Sequence, residues 1–427
     1  MSHESTYFVA NNPQAVLKTP VEVWQEIIDH VLYDPIAFLT DPYYPGCNFH
    51  TAFNEWTDRR RLRELEVQRG TLRLVSRSWK FLIDSRSQKY FEPYFCGNPI
   101  QQSAWARSAH RLNFDHFCIA GEHDAGSSTS QCNKCQNYKA YMSANNESPH
   151  LGGHPFGATV VRLPTQKDSK LYLEVQNRSL DSVFPKARAL FVWYRDAPTM
   201  QLLSWFTGLT FLSICLERTD FLQINDAAPQ FPSLKTFHLE LIDDGRIDFL
   251  EQWDMPLLAH FQLCLPALEP GLTPLATHIG KGLVRFCLRI HEEYVFLPDN
   301  FWQALPVLQY FSTTIIKPNS NFPVPPFGHS LRTLGLLEET NHMDDARDIA
   351  GHLIELWEEI DTISDCHSWD DAPECFGNLI DSPDGSLDFQ HHHMDTNCWQ
   401  CIKNLYLTCR KHGLRYEDRE GRTLSGL

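Results

Sequence analysis

The sequence has no run of apolar residues approaching the ~18 that a membrane-spanning helix needs. Its opening residues, Met1 to Tyr7, have neither the basic nor the apolar region of a secretory signal. Catalytic motifs are missing as well. There is no Gly-x-Ser-x-Gly elbow, no His-Glu-x-x-His pair and no Gly-x-x-x-x-Gly-Lys phosphate loop. The glycine-rich stretch from Gly152 to Gly157 has the wrong spacing for a dinucleotide fingerprint. These absences leave catalysis and membrane insertion unsupported, so a non-enzymatic protein without a cofactor is expected.

No disulfide framework is expected either. Thirteen cysteines are an odd count in a large chain without a signal, which favours reduced thiols in cytoplasm or nucleus. Cys132 and Cys135 stand at Cys-x-x-Cys spacing near Cys118, His123, His150 and His154, but the remaining pair matches no common zinc finger. A second such pair, Cys398 and Cys401, falls on a helical pattern that sets the thiols on one face. The tract His391 to His393 is expected to be a solvated loop. No metal site is expected.

What is present suffices for a large core: 42% hydrophobic and 12% aromatic residues in 427, enough for two or three units. The net charge of −16 is concentrated. Residues 338–388 hold sixteen acidic side chains and one arginine, whereas residues 58–92 hold ten Lys/Arg against five Asp/Glu. The acidity therefore belongs to one segment and does not argue against nucleic acid in general, though no nucleic-acid or membrane partner is expected.

Two stretches predict helices. In the first, Thr19 is an N-cap, Pro20 sits where its missing N–H costs nothing and Glu22 completes a capping box. Val23, Trp24, Ile27, Ile28, Val31 and Leu32 then form one apolar face. In the second, from Leu72 to Asp84, Leu72, Val75, Trp79 and Leu82 recur at helical spacing. The order Pro-x-Glu-x-aromatic-x-x-Ile, followed by Leu-x-x-Val-Ser-x-x-Trp, resembles the F-box of substrate receptors in cullin ubiquitin ligases. Thr19 stands where the family has leucine, and an insert, residues 33–68, separates the halves. That insert opens with Pro35, Pro42, Pro45 and Gly46 and predicts a polar helix over residues 55–68. The resemblance implies an acidic Skp-type adaptor, which suits the basic stretch, and docking or core-setting roles for Pro20, Glu22, Ile27, Val75 and Trp79.

Further along, six segments share the pattern Leu-x-x-(Phe/Leu)-x-(Leu/Ile/Thr). They start at Leu209, Leu234, Leu258, Leu283, Leu308 and Leu331, with a weaker copy at Ala187. A nearly constant period of 23 to 25 residues resembles a leucine-rich repeat, one strand and a returning segment per unit. The asparagine that usually follows the strand is absent, and evenly spaced antiparallel strands are the alternative. Alternation sets two columns on an inner face: Ser213, His238, Gln262, Cys287, Ser312 and Gly335, and beside it Cys215, Glu240, Cys264, Arg289, Thr314 and Leu337. His238, Glu240, Gln262 and Arg289 are the candidate substrate contacts.

The expected organisation is α+β or α/β repeat. It runs as a flexible start (1–18), an F-box-like helical domain (19–95), an irregular linker (96–160), a leucine-rich-repeat-like solenoid (161–337), an acidic helix and loop (338–390) with a capping or docking role, and a C-terminal helix and tail (391–427). The expected function is the substrate-recognition subunit of a cullin-RING ligase, with a Skp-type adaptor and an unknown protein substrate as partners. A non-catalytic repeat scaffold is the alternative.

Overall fold

The repeats form one parallel sheet. The computed structural model describes residues 19–32, 34, 36–44, 47, 49, 52–86, 89–92, 105–114, 155–163, 183–194, 203, 206–216, 228–242, 247–266, 272–290, 297–314, 323–336, 350, 354, 359–364, 399–418 and 421–423. Twelve strands pair in strict sequence order. They are β1 (Tyr90–Phe91), β2 (Arg111–Asn113), β3 (Val160–Arg162), β4 (Ala189–Tyr194), β5 (Phe211–Leu216), β6 (Thr236–Leu241), β7 (His260–Leu265), β8 (Arg285–Ile290), β9 (Tyr310–Thr313), β10 (Thr333–Leu336), β11 (Thr362–Ser364) and β12 (Arg415–Glu417). Each neighbouring pair is parallel, which is the topology of a solenoid and excludes the antiparallel alternative.

The repeat pattern places every strand from β4 to β10 in register. Leu190, Leu212, Phe237, Phe261, Phe286, Phe311 and Leu334 pair in succession. Their rings stack up the core, Phe237 on Phe261 at 5.5 Å, Phe261 on Phe286 at 5.6 Å and Phe286 on Phe311 at 5.9 Å. The leading leucine of each unit is buried just before its strand. There its N–H closes a tight turn, for example Leu258 to the Met255 carbonyl at 3.1 Å and Leu308 to Leu305 at 3.1 Å. These backbone bonds satisfy buried N–H groups at the entry to the strands. Helix α5 (Leu272–Ile279) and helix α6 (Phe301–Ala304) cover the same core.

The sheet is longer than its periodic part. It starts at Tyr90, within the expected helical domain, and passes through β2 in the stretch expected to be an irregular linker. It ends at Glu417, in the expected tail, after helix α7 (Trp399–Lys411). Strands of two or three residues carry no measurable period, so the sequence pattern could not register them. Of the expected acidic helix, Ile349, Leu353, Leu356 and Trp357 lie outside the described residues, while Ile360 is buried against the core.

Among the described residues four helices precede the sheet: α1 (Val21–Leu32), α2 (Ala52–Thr57), α3 (Arg59–Arg73) and α4 (Arg77–Asp84). Two differ from expectation. The single polar helix over 55–68 is split by Asp58, whose carboxylate accepts from the N–H groups of Arg60 and Arg61 and caps α3. The second F-box-like stretch is likewise not one helix. Ser76 accepts from the Trp79 N–H at 3.1 Å and starts α4 anew. This break turns Val75 outward while Leu72, Trp79 and Leu82 stay with the α1 core. No described helix is long and apolar enough to cross a membrane.

Candidate functional site: a plugged sheet face and an open helical face

The face of the sheet opposite the core carries three residues of each long strand. The first column runs Phe211, Thr236, His260, Arg285 and Tyr310, and the expected column of Ser213, His238, Gln262, Cys287, Ser312 and Gly335 stands beside it. The insert lies across these columns. Trp56 of α2 is fully buried against Phe191 at 5.3 Å and Phe211 at 4.7 Å, with its indole N–H donating to the Leu39 carbonyl at 2.8 Å. Phe53 reaches His238 at 4.3 Å. The insert therefore has its own hydrophobic seam with the sheet, formed by Ile36, Trp56, Val160, Ala189, Phe191 and Phe211.

Farther along the same face, Arg285 is the fixed point. Its guanidinium lies 4.4 Å from the Tyr43 ring, 5.2 Å from Tyr310 and 5.7 Å from Phe49. Tyr310 in turn crosses Gly335, where a Cβ would come within 2.5 Å of its hydroxyl and 2.6 Å of the Ser312 Cβ. Only glycine fits beneath that ring. Asp41 accepts from the Tyr43 N–H at 3.0 Å and from the Thr236 hydroxyl at 2.8 Å. Burial pushes the Asp41 carboxyl up to about 6. The same burial lowers His260 to about 4, with Arg285 and Lys235 adding to it, and holds His238 well below its ordinary value.

The expected substrate residues thus part company. His238 is buried beneath Phe53 and Tyr43, so it does not belong to an open surface. Glu240 is exposed, and Gln262 and Arg289 are half-buried. These three remain reachable on strands β6, β7 and β8. The insert's role was missed by sequence reasoning, yet a signal existed: Phe38, Tyr43, Phe49, Phe53 and Trp56 are more aromatics than a solvated loop has use for.

The helical unit is anchored at its base and open on one side. Arg63 donates twice to the buried Glu92, at 2.8 and 2.7 Å, and Glu92 also accepts from the Tyr90 hydroxyl. Asp34 caps the turn at Ile36 and Ala37 and pairs with Arg61. Inside the unit, Ile28, Leu32, Leu82 and Ile83 form a core to which Trp24 and Trp79 add a ring contact at 5.1 Å. On the outside, Val23, Ile27 and Val31 make an exposed stripe along α1 at i, i+4 and i+8. Leu74, Val75 and Phe81 are more exposed still, at 86, 59 and 75%. Of the expected adaptor residues, Pro20, Glu22, Ile27 and Val75 lie on the surface and Trp79 is an inner residue.

Among the described residues no group of His, Cys, Asp and Glu is arranged to hold a metal. Cys132, Cys135, their neighbouring histidines and the three-histidine tract lie outside those residues, as do the side chains of Cys398 and Cys401. A scan against models of known protein families finds no match, and comparison with curated proteins finds no relative.

Proposed function

We propose that this chain is the substrate-recognition subunit of a cullin-RING ubiquitin ligase, docking a Skp-type adaptor through α1 and α4 and holding a protein substrate on its repeat sheet. The supporting observation is the exposed apolar set Val23, Ile27 and Val31 on α1, Leu74 and Val75 in the turn before α4, and Phe81 on α4, in stretches whose sequence resembles an F-box. Large apolar side chains left this exposed are what an interaction surface requires. The ten basic residues in 58–92 suit an acidic adaptor and would speed its capture. In this reading the chain makes no bond itself. It raises the local concentration of substrate at a ubiquitin-charged conjugating enzyme.

The salt bridge from Arg63 to Glu92 favours a second reading, in which the helices merely cap the first strands of a scaffold. Co-purification with a Skp-type adaptor separates the two. Val75→Asp and Phe81→Asp change exposed side chains, so they should abolish adaptor binding and leave the melting midpoint in place. An adaptor that never binds the parent chain leaves the scaffold standing.

A further inference from the structure

A second exposed feature stands at the entry to β10, and it does not rest on the ligase reading. The sequence there is Pro323-Val-Pro-Pro-Phe-Gly328. Each proline ring fixes its own φ at about −65° and keeps the residue before it out of the helical region. Val324 and Pro325 both precede a proline, so the stretch is set in the extended polyproline II form, three residues to a turn. It belongs to no helix or strand.

Hydrogen bonds fasten both of its ends. The indole N–H of the buried Trp302 donates to the Pro323 carbonyl. At the other end the Pro326 carbonyl accepts from the His329 N–H at 3.0 Å, and Gly328 has φ +80°, the pattern of a type II turn. The Gly328 N–H donates to both Glu359 carboxylate oxygens, at 3.0 and 3.1 Å. The buried His329 ring meets the Leu305 carbonyl at 3.0 Å. Between these anchors Val324, Pro326 and Phe327 are exposed, Phe327 at 94%. Among the described residues nothing donates to the Val324 or Pro325 carbonyl. The turn of the preceding unit abuts this one, the Ser330 hydroxyl donating to the Pro306 carbonyl at 3.1 Å, and its Val307 is exposed as well.

We propose that residues 323–327 are a docking motif for a protein module whose aromatic-lined groove reads polyproline II segments. Such a groove packs its rings on proline and apolar side chains and donates to the outward carbonyls. Val324 and Phe327 stand three residues apart, hence on one edge of the polyproline II helix, with Pro326 beside them. The prolines and the anchored turn have already ordered this backbone, so binding has little conformational entropy left to lose. A fully outward phenylalanine on a fixed turn then supplies the aromatic anchor that a small interface needs.

A panel of purified SH3, WW and EVH1 domains, all with aromatic-lined proline grooves, is titrated against the full-length chain. Saturable binding by at least one is expected. Pro326→Ala and Phe327→Ser replace exposed side chains and keep the Pro326 carbonyl in its turn bond. Each should weaken that binding about tenfold at an unchanged melting midpoint. A free peptide of residues 322–329 must order its own backbone and should bind about tenfold more weakly than the chain. No saturable binding by any domain of the panel, or binding that both substitutions leave intact, overturns the motif. A peptide as tight as the chain overturns its presentation by the turn. Adaptor binding stays at the parent level in both variants, so failure here and failure of the ligase reading are read separately.

Discussion

The guanidinium of Arg285, on the eighth strand, lies 4.4 Å from the ring of Tyr43, in the part of the insert that precedes α2. This contact joins the two halves of the molecule, and it has consequences that can be measured.

Replacing Tyr43 by alanine removes one wall of the cation's aromatic surroundings and its packing against His260 at 5.0 Å. Loss of a buried aromatic side chain costs roughly 3–5 kcal/mol. Tyr43→Phe keeps the ring and removes the hydroxyl's contacts to His238, at 3.5 Å, and to Arg285, so its cost should be smaller, about 1–2 kcal/mol. Urea unfolding of both variants checks the difference. If Tyr43→Ala unfolds at the parent midpoint, the insert is not held through this ring.

Trp56→Ala should be as damaging, because the side chain is fully buried between the insert and strands β4 and β5. A loss of about 3–5 kcal/mol is expected. Limited proteolysis should then cut the insert before it cuts the sheet. First cleavage in the sheet would place the weak point elsewhere.

The Asp41 and His260 shifts give the plug a pH dependence with two opposed parts. Asp41 binds its proton more tightly when folded, so it adds stability as pH falls from about 6 toward 3.8 and costs stability above 6. His260 is held neutral, so it costs stability as pH falls from 6.5 toward about 4. His238 acts in the same direction as His260. Two histidines against one carboxyl leave the unfolded chain binding more protons, and stability should fall on acidification through this window. His260→Gln should flatten the decline. Asp41→Asn keeps an acceptor and removes a buried charge, so it should gain on the order of 1–2 kcal/mol at pH 7.5. Calorimetric melting of the three proteins from pH 4 to 7.5 tests both signs.

Gly335→Ala probes the wall from behind. The added methyl would meet the Tyr310 hydroxyl and Ser312, forcing Tyr310 off Arg285 at a cost of about 1–3 kcal/mol. Tyr310→Phe in the same chain removes the clashing hydroxyl and should recover part of the loss, read as a non-additive pair in a double-mutant cycle.

Substrate capture, finally, divides the candidate residues. Glu240→Ala with Arg289→Ala alters reachable side chains on β6 and β8, and should weaken capture at an unchanged melting midpoint. His238→Ala acts on the packing beneath Phe53 and lowers the midpoint instead. Unaltered capture by the Glu240 and Arg289 pair would remove these strands from the binding surface.

How much of this was legible can be judged from particular residues. The spacing of Leu209, Leu234, Leu258, Leu283, Leu308 and Leu331 gave the strands and their mutual register, because each unit must bury its own apolar face against the next. Parallel pairing and the column of His238, Gln262 and Cys287 followed from the same period. The strands at both ends were not legible, since three residues such as Arg111 to Asn113 contain no repeat. The helix break at Ser76 lay in a serine that can cap or be passed over, and packing decided which.

The sequence by itself determined the solenoid, through local patterns that each residue shares with near neighbours. Only the tertiary structure decided where the insert goes. Tyr43, Phe53 and Trp56 state that they must be buried, but not against what. That choice depends on shape and charge meeting across distant parts of the chain, as Arg285 meets Tyr43. It turns a sheet face that alternation leaves open into one that is largely filled, with Glu240, Gln262 and Arg289 still in reach of a partner.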